Sequence, residues 1–234
     1  SGIAAPDLPR LEEELAAART VPVQLSAEEV NRYYSGFANS MLCPLFHYLL
    51  DKVQLDSRDW ECFKDVNERF ADAVAAQLSP GDFVWVHDYQ LMLVPGLLRA
   101  RLPHARIGFF LHVPFPSAEV FRVLPWRRQI MEGLLGADLV GFHTFAYLRH
   151  FISSLLYVDG VEADVDRVHL AGRDVRLGAF PMGIDASAFV ALANDPDVVA
   201  GAKAIREDAG DRRLILGIAR LDYTKGIPRR LHAI

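Results

Sequence analysis

Residues 83–116 read FVWVHDYQLMLVPGLLRARLPHARIGFFLHVPFP, and the two apolar runs inside this stretch decide the fold. Phe83 to Val86 runs out at His87 and Asp88, and Ile107 to Leu111 runs out at His112 before a Pro-rich turn. Between them lies one helix's worth of chain. A continuous apolar run of this length fits a parallel strand covered on both faces, and in open α/β sheets ligands bind beyond the carboxyl ends of such strands. Asp88 and His112 are therefore expected to face one crevice.

Towards the amino terminus, Arg58 to Leu78 repeats apolar residues at helical spacing through Trp60, Phe63, Val66, Phe70 and Val74, and Ser79, Pro80 and Gly81 end it. Pro9 to Arg19 reads as a helix with acidic residues early and Arg19 late. Val21 to Leu25 has the pattern of a short strand. Ser26 with Glu29 forms a capping box opening a helix through Tyr33 and Tyr34, with a turn expected at Ser35 and Gly36. Phe37 to Leu50, interrupted by Pro44, reads as irregular structure leading into a helix.

Towards the carboxyl terminus the order strand, helix, strand repeats. Ser117 to Leu135 is helical in pattern, Asp138 to Phe142 is a short strand ending at His143 and Thr144, and Phe145 to Tyr157 is another helix. After a polar, acidic connection, Val175 to Phe180 returns as a strand into PMGID. Asp195 to Asp208 reads as a surface helix, and Leu214 to Ala219 (LILGIA) as a buried strand that ends at ARLDYTKGIP. This order implies an α/β fold, a doubly wound parallel sheet with right-handed crossovers. The domain boundary is expected between Gly183 and Arg213. Residues 1–190 then form one Rossmann-like domain, and 191–234 a linker with the first strand and loop of a second.

The bulk properties agree with a globular α/β chain. Of 234 residues, 51% are hydrophobic and 24% charged, with a formal charge of −5 that argues against a nucleic-acid face. No apolar segment approaches the ~18 uninterrupted residues of a membrane-spanning helix. Cys43 and Cys62 lack the spacing of a metal or redox site, and the expected setting is cytoplasmic. The chain starts at Ser1 without Met and stops at Ile234 within a helical pattern, which suggests a piece of a longer protein.

Several residues have the chemistry of a ligand site. Arg220 and Lys225 flank Asp222 and Gly226 in the loop after LILGIA, and two cations at a strand end suit a diphosphate. A surface ion pair with Asp222 would use the same residues. Asp88 suits a sugar hydroxyl or a proton, and equally an N-cap for the segment from Gln90. His112 suits the crevice, or a core imidazole bonded to backbone. His87, His104, His112 and His143 show no metal-site spacing. GxxxxGK[ST], GxGxxG and GxSxG are all absent. Tyr33, Tyr34, Trp60, Trp85 and Trp126 could stack on sugars, but most aromatics in such a chain are core; Tyr34 is the best exception because it opens a polar, Pro-broken segment. Arg122, Arg127 and Arg128 read as a solvated face, with binding of an anionic group as the alternative. These residues favour a phosphate-bearing or sugar-bearing ligand without identifying it.

Together, YYSGFANSMLCPLFHY, VWVHDYQLMLVP, IGFFLHVPFPSAEVFRVLP, GADLVGFHTFAYLRHF, FPMGID and ARLDYTKGIP resemble the trehalose-6-phosphate synthases, retaining glycosyltransferases of GT-B type with two Rossmann-like domains. The resemblance runs in order from about Leu25 to Ile234. It implies transfer of glucose from UDP-glucose to glucose 6-phosphate, with no metal or other cofactor and no protein nucleophile. Arg220 and Lys225 would bind the UDP diphosphate, His112 would lie against the donor glucose, Asp88 would contact sugar hydroxyls between donor and acceptor, and Tyr34 would meet the acceptor phosphate. Partners implied are these small molecules, with a homo-oligomer left open. The family usually carries Trp where Cys43 stands, on the acceptor side. A relative with another acceptor is therefore an alternative, as is a non-catalytic regulatory subunit of the same fold. The glycine-rich donor loop and the acidic residues for the nucleoside ribose have no counterpart in this sequence, which implies that the chain alone is inactive.

Overall fold

The structure, a computed structural model, describes residues 14–170 and 172–234. The start of the helix expected over Pro9 to Arg19 lies outside the described residues, which show its end at residues 14–17. Two compact units divide at Pro181 and Met182.

The first unit is built on a six-stranded sheet. Its strands are β1 (Phe83–His87), β2 (Arg106–Leu111), β3 (Leu139–Phe142), β4 (Ala163–Asp164), β5 (Arg167–Leu170) and β6 (Arg173–Ala179), in the order β1-β2-β3-β6-β5-β4. The first four in that order are parallel, as the repeated strand-helix pattern requires. β5 and β4 add antiparallel to β6. The sheet is thus mixed, and its antiparallel edge lies in the acidic connection read as a loop. Short strands with polar residues carry little apolar alternation, so the pattern hides them.

The strand expected to be covered on both faces is covered on one. Val84 and Val86 are buried, whereas Phe83 and Trp85 are 54% and 62% exposed. β1 pairs only with β2 among the described residues, so its side chains lack neighbours on one flank.

Four longer helices accompany the strands, α1 (Ser57–Ala75) before β1 and α2 (Val94–Arg101), α3 (Arg127–Leu134) and α4 (Phe145–Asp159) between successive strands. α1 starts where Asp56 accepts from the Arg58 N–H, and it buries Trp60, Phe63, Val66, Asn67 and Ala71. α4 is capped by Thr144 and ends at Gly160 in the left-handed conformation. The single helix expected over Ser117 to Leu135 is instead one turn, Ala118–Phe121, followed by α3. Pro125 has no N–H for a helical bond and disfavours helical geometry in the residue before it.

The segment before α1 departs most from expectation. Ser26 and Glu29 form the predicted capping box, but the chain then winds without a turn at Gly36 through a π-helical segment, Val30–Leu42. Its last bond reaches from the Cys43 N–H to the Ala38 carbonyl, five residues back. A Cβ on Gly36 would stand 2.3 Å from Oδ2 of Asp59, so the glycine lets this segment close on α1. Val21 to Leu25 forms no strand. The core between these layers is aromatic: Trp60 stacks on Trp126 with ring centres 5.1 Å apart, and Phe115 contacts Phe46, Phe121, Phe142 and Phe151.

The second unit holds two helices, α5 (Ala186–Ala193) and α6 (Pro196–Ala209), capped by Asp185 and Asp195, and a short α7 (Ile227–His232). The buried strand expected over Leu214 to Ala219 is absent: Leu216 is 86% and Ile218 85% exposed. A strand exists only by pairing, and no described segment pairs with this one.

Candidate active site

The ends of β1 and β2 are tied together at Asp88. Its N–H donates to the Phe110 carbonyl (2.8 Å), and its Oδ1 accepts from the His112 N–H (3.1 Å). Asp88 adopts φ 71° and ψ 170°, a region that glycine occupies almost alone and that costs a side-chain-bearing residue roughly 1–3 kcal/mol. The carboxylate makes no cap to the following turn, Tyr89–Leu91. The N-cap use is therefore not made, and the side chain serves the neighbouring strand end.

His112 is not a core imidazole. It is exposed at the end of β2, with its Nε2 2.9 Å from Nδ1 of His87, the last residue of β1. His143, just past β3, lies edge-on with its ring centre 5.7 Å from that of His112, and Phe110 packs on both rings. Partial burial pushes the His112 pKa below its ordinary value. The Asp88 carboxylate opposes that shift, and the His87 and His143 rings add to it. Three imidazoles thus gather at three adjacent strand ends. Among the described residues no group of three or more His, Cys, Asp or Glu is placed to hold a metal ion.

The loop after Asp88 is held from two sides. Buried Asn67 of α1 donates to the Phe63 and Gln90 carbonyls and accepts from the Leu93 N–H. Tyr33 donates its hydroxyl proton to the same Gln90 carbonyl (3.1 Å), and burial pushes its pKa far up. Tyr33 is therefore structural, while Tyr34 beside it is 49% exposed. In the sequence only the polar segment after Tyr34 separates the two; in the structure one is buried and the other exposed.

Tyr89 links Asp88 to the π-helical segment. Its hydroxyl donates to Oδ1 of Asn39 (2.8 Å). Its pKa is raised first by burial and then by Cys43, Asp88 and Tyr34, which places all three around one phenol. Asp88, His112, Tyr34 and Cys43 thus belong to one neighbourhood. Cys43 is half-buried, with its Sγ 3.7 Å from Nδ1 of His47. The sequence pattern gives no role to Tyr89, Asn39 or His87, although two of them flank Asp88 directly.

Arg220 and Lys225 lie in the second unit. Arg220 is exposed and 3.8 Å from Asp222, the ion pair that the spacing allows. Asp222 caps the turn Tyr223–Lys225 by accepting from the Thr224 N–H, which, with the two cations, lowers its pKa. Gly226 closes that turn in the left-handed conformation. Of the remaining candidates, Trp60 is core, Trp126 stacks on it half-buried, and Trp85 is exposed on the sheet face. Arg122, Arg127 and Arg128 line a separate cavity of about 500 Å³ with Glu119 and Tyr157.

A mixed sheet whose parallel part carries a carboxylate and an imidazole at adjacent strand ends, followed by a second unit of helices and loops, corresponds to about half of a GT-B glycosyltransferase fold. The profile of glycosyltransferase family 20 matches residues 6–234, and the chain belongs to that family. It is 46% identical over 214 residues to alpha,alpha-trehalose-phosphate synthase [UDP-forming] A of Dictyostelium discoideum, covering 92% of this chain and 29% of that protein. It is 45% identical over 225 residues to the bifunctional trehalose-6-phosphate synthase/phosphatase of Thermoproteus tenax, covering 95% of this chain and 31% of that one. Among solved structures, the trehalose-phosphate synthase of Burkholderia xenovorans in complex with glucose-6-phosphate superposes with a TM-score of 0.83 at 35% identity, over 90% of this chain and 47% of that one. An E. coli structure bound with UDP-2-fluoro glucose gives 0.80 at 34%, again over 90% and 47%. The chain therefore spans about a third of these curated relatives and about half of the solved chains. No helix among the described residues is long and apolar enough to cross a membrane.

Proposed function

We propose that the protein to which this chain belongs transfers glucose from UDP-glucose to glucose 6-phosphate, releasing UDP and forming trehalose 6-phosphate with retention at the donor's anomeric carbon, in the cytoplasm. The observation that carries this reading is the bond from the His112 N–H to Asp88, which fixes a carboxylate and an imidazole side by side at two strand ends. His112 faces the donor glucose, Asp88 holds hydroxyls between donor and acceptor, and Tyr34 meets the acceptor phosphate. Arg220 and Lys225 neutralise the diphosphate as the bond from the anomeric carbon to its oxygen breaks. This is stabilisation where charge develops, which lets the reaction proceed without a metal. The acceptor oxygen bonds to the same face of that carbon, and its proton passes to the departing phosphate.

The test is to supply the full-length parent with UDP-glucose and a panel of acceptors. UDP release with glucose 6-phosphate is expected; release only with another acceptor overturns the reading. Cys43 favours that second outcome specifically, because a half-buried thiol stands where the family carries an aromatic surface. Arg220→Ala in the parent is expected to weaken UDP binding by about 1.5–3 kcal/mol, the range of a charge-assisted contact, as read by calorimetry.

A further inference from the structure

His87 has no part in the proposed reaction, yet among the described residues it makes the one hydrogen bond to the ring of His112. The two rings lie with centres 5.2 Å apart and planes 29° from parallel, and His87 is backed by Trp85 at 4.5 Å. His112 is thus held twice, its backbone by the Asp88 carboxylate and its ring by His87.

A nitrogen–nitrogen contact of 2.9 Å needs one donor and one acceptor. If His87 donates, both neutral rings must carry their proton on Nδ1. If His112 donates, both carry it on Nε2, the form a neutral imidazole prefers when nothing else directs it. No described residue hydrogen-bonds to Nδ1 of His112 or Nε2 of His87, so the intrinsic preference decides. The groups facing His112 are the Asp88 carboxylate, the His87 and His143 rings and the apolar Phe110; on balance they favour the neutral ring.

We propose that His87 is a positioning residue for His112: its Nδ1 accepts from the His112 Nε2–H, which leaves Nδ1 of His112 unprotonated as an acceptor for a donor-sugar hydroxyl. The proposal rests on His112 facing the donor glucose. It makes the rotamer and tautomer of the sugar-facing ring the work of a residue that does not itself touch substrate.

Nitrogen-15 spectra of the histidine side chains in the 234-residue chain test the pair directly, with His112→Asn supplying the assignment. The expected result is a protonated Nε2 and an unprotonated Nδ1 on His112. His87→Phe keeps a ring against Trp85 but removes the acceptor; it should turn His112 into a tautomer mixture with faster Nε2–H exchange, and His87→Asn should restore the wild-type pattern. A protonated Nδ1 on neutral His112, or a spectrum unchanged in His87→Phe, overturns the proposal. In the full-length parent, His87→Phe is expected to lower kcat/KM for UDP-glucose about tenfold, the scale of one hydrogen bond, with His87→Asn recovering most of it. An active parent indifferent to both changes overturns the proposal alone. A parent that releases no UDP from UDP-glucose overturns the functional reading, and the role of His87 with it, while the spectra still report whether the pair exists.

Discussion

Asp88 spends backbone strain on a position that its side chain then uses. Replacing it with alanine keeps the unfavourable φ and loses the bond to the His112 N–H; replacing it with glycine loses the same bond and relieves the strain. Asp88→Gly is therefore expected to be more stable than Asp88→Ala by about 1–3 kcal/mol in denaturant unfolding, although neither offers a carboxylate. Equal stabilities would mean that the strain is absent. His112 gives a pH dependence. Its folded pKa lies below the unfolded value of 6.5, so between the two the unfolded chain binds more protons, and stability falls as pH drops through 6.5 towards the folded pKa. His112→Asn should flatten that part of the stability curve, compared at pH 7.5 and at about pH 5.5. Asp88 and His112 are legible in the sequence because a polar residue ending an apolar strand has a known destination. His87 and Tyr89 are not, because their importance comes from partners 25 and 50 residues away.

At the scale of elements, the strand-end loop depends on α1 as much as on β1. Asn67 satisfies the buried Leu93 N–H and shares the half-buried Gln90 carbonyl with Tyr33. Asn67→Leu keeps the approximate volume and strands the Leu93 N–H, so a loss of about 1–3 kcal/mol is expected, read as a lower denaturant midpoint. No change would show that water reaches the loop. The parallel strands and α1 are readable from periodicity because their burial repeats at fixed intervals. The π-helical segment is not, since Ser35 and Gly36 carry local turn chemistry that close packing on Asp59 overrides. The run from Leu214 to Ala219 fails for the opposite reason: it is a continuous apolar run of strand length, but pairing is a property of neighbours.

At the scale of the whole molecule, one face of the first unit's sheet stays open among the described residues. Phe83, Trp85 and Phe180 are 54%, 62% and 48% exposed on it. A Cβ on Gly108 would stand 2.9 Å from the Phe83 ring, so the missing side chain leaves room for that ring over the neighbouring strand. An exposed apolar patch of this kind marks a surface that binds something or associates. The three tryptophans allow its openness to be measured, because Trp60 is buried, Trp126 stacks on it half-buried at the core's edge, and Trp85 alone is largely exposed, on the face. Acrylamide should quench a substantial fraction of the native fluorescence of the 234-residue chain, and Trp85→Phe should remove most of that accessible emission while leaving the protected emission in place. If Trp85→Phe leaves the quenchable fraction unchanged, the face is covered in solution, by a second copy or by the chain itself. Dilution separates those two: only cover by a second copy gives way as concentration falls, because association is governed by mass action and an intramolecular contact is not.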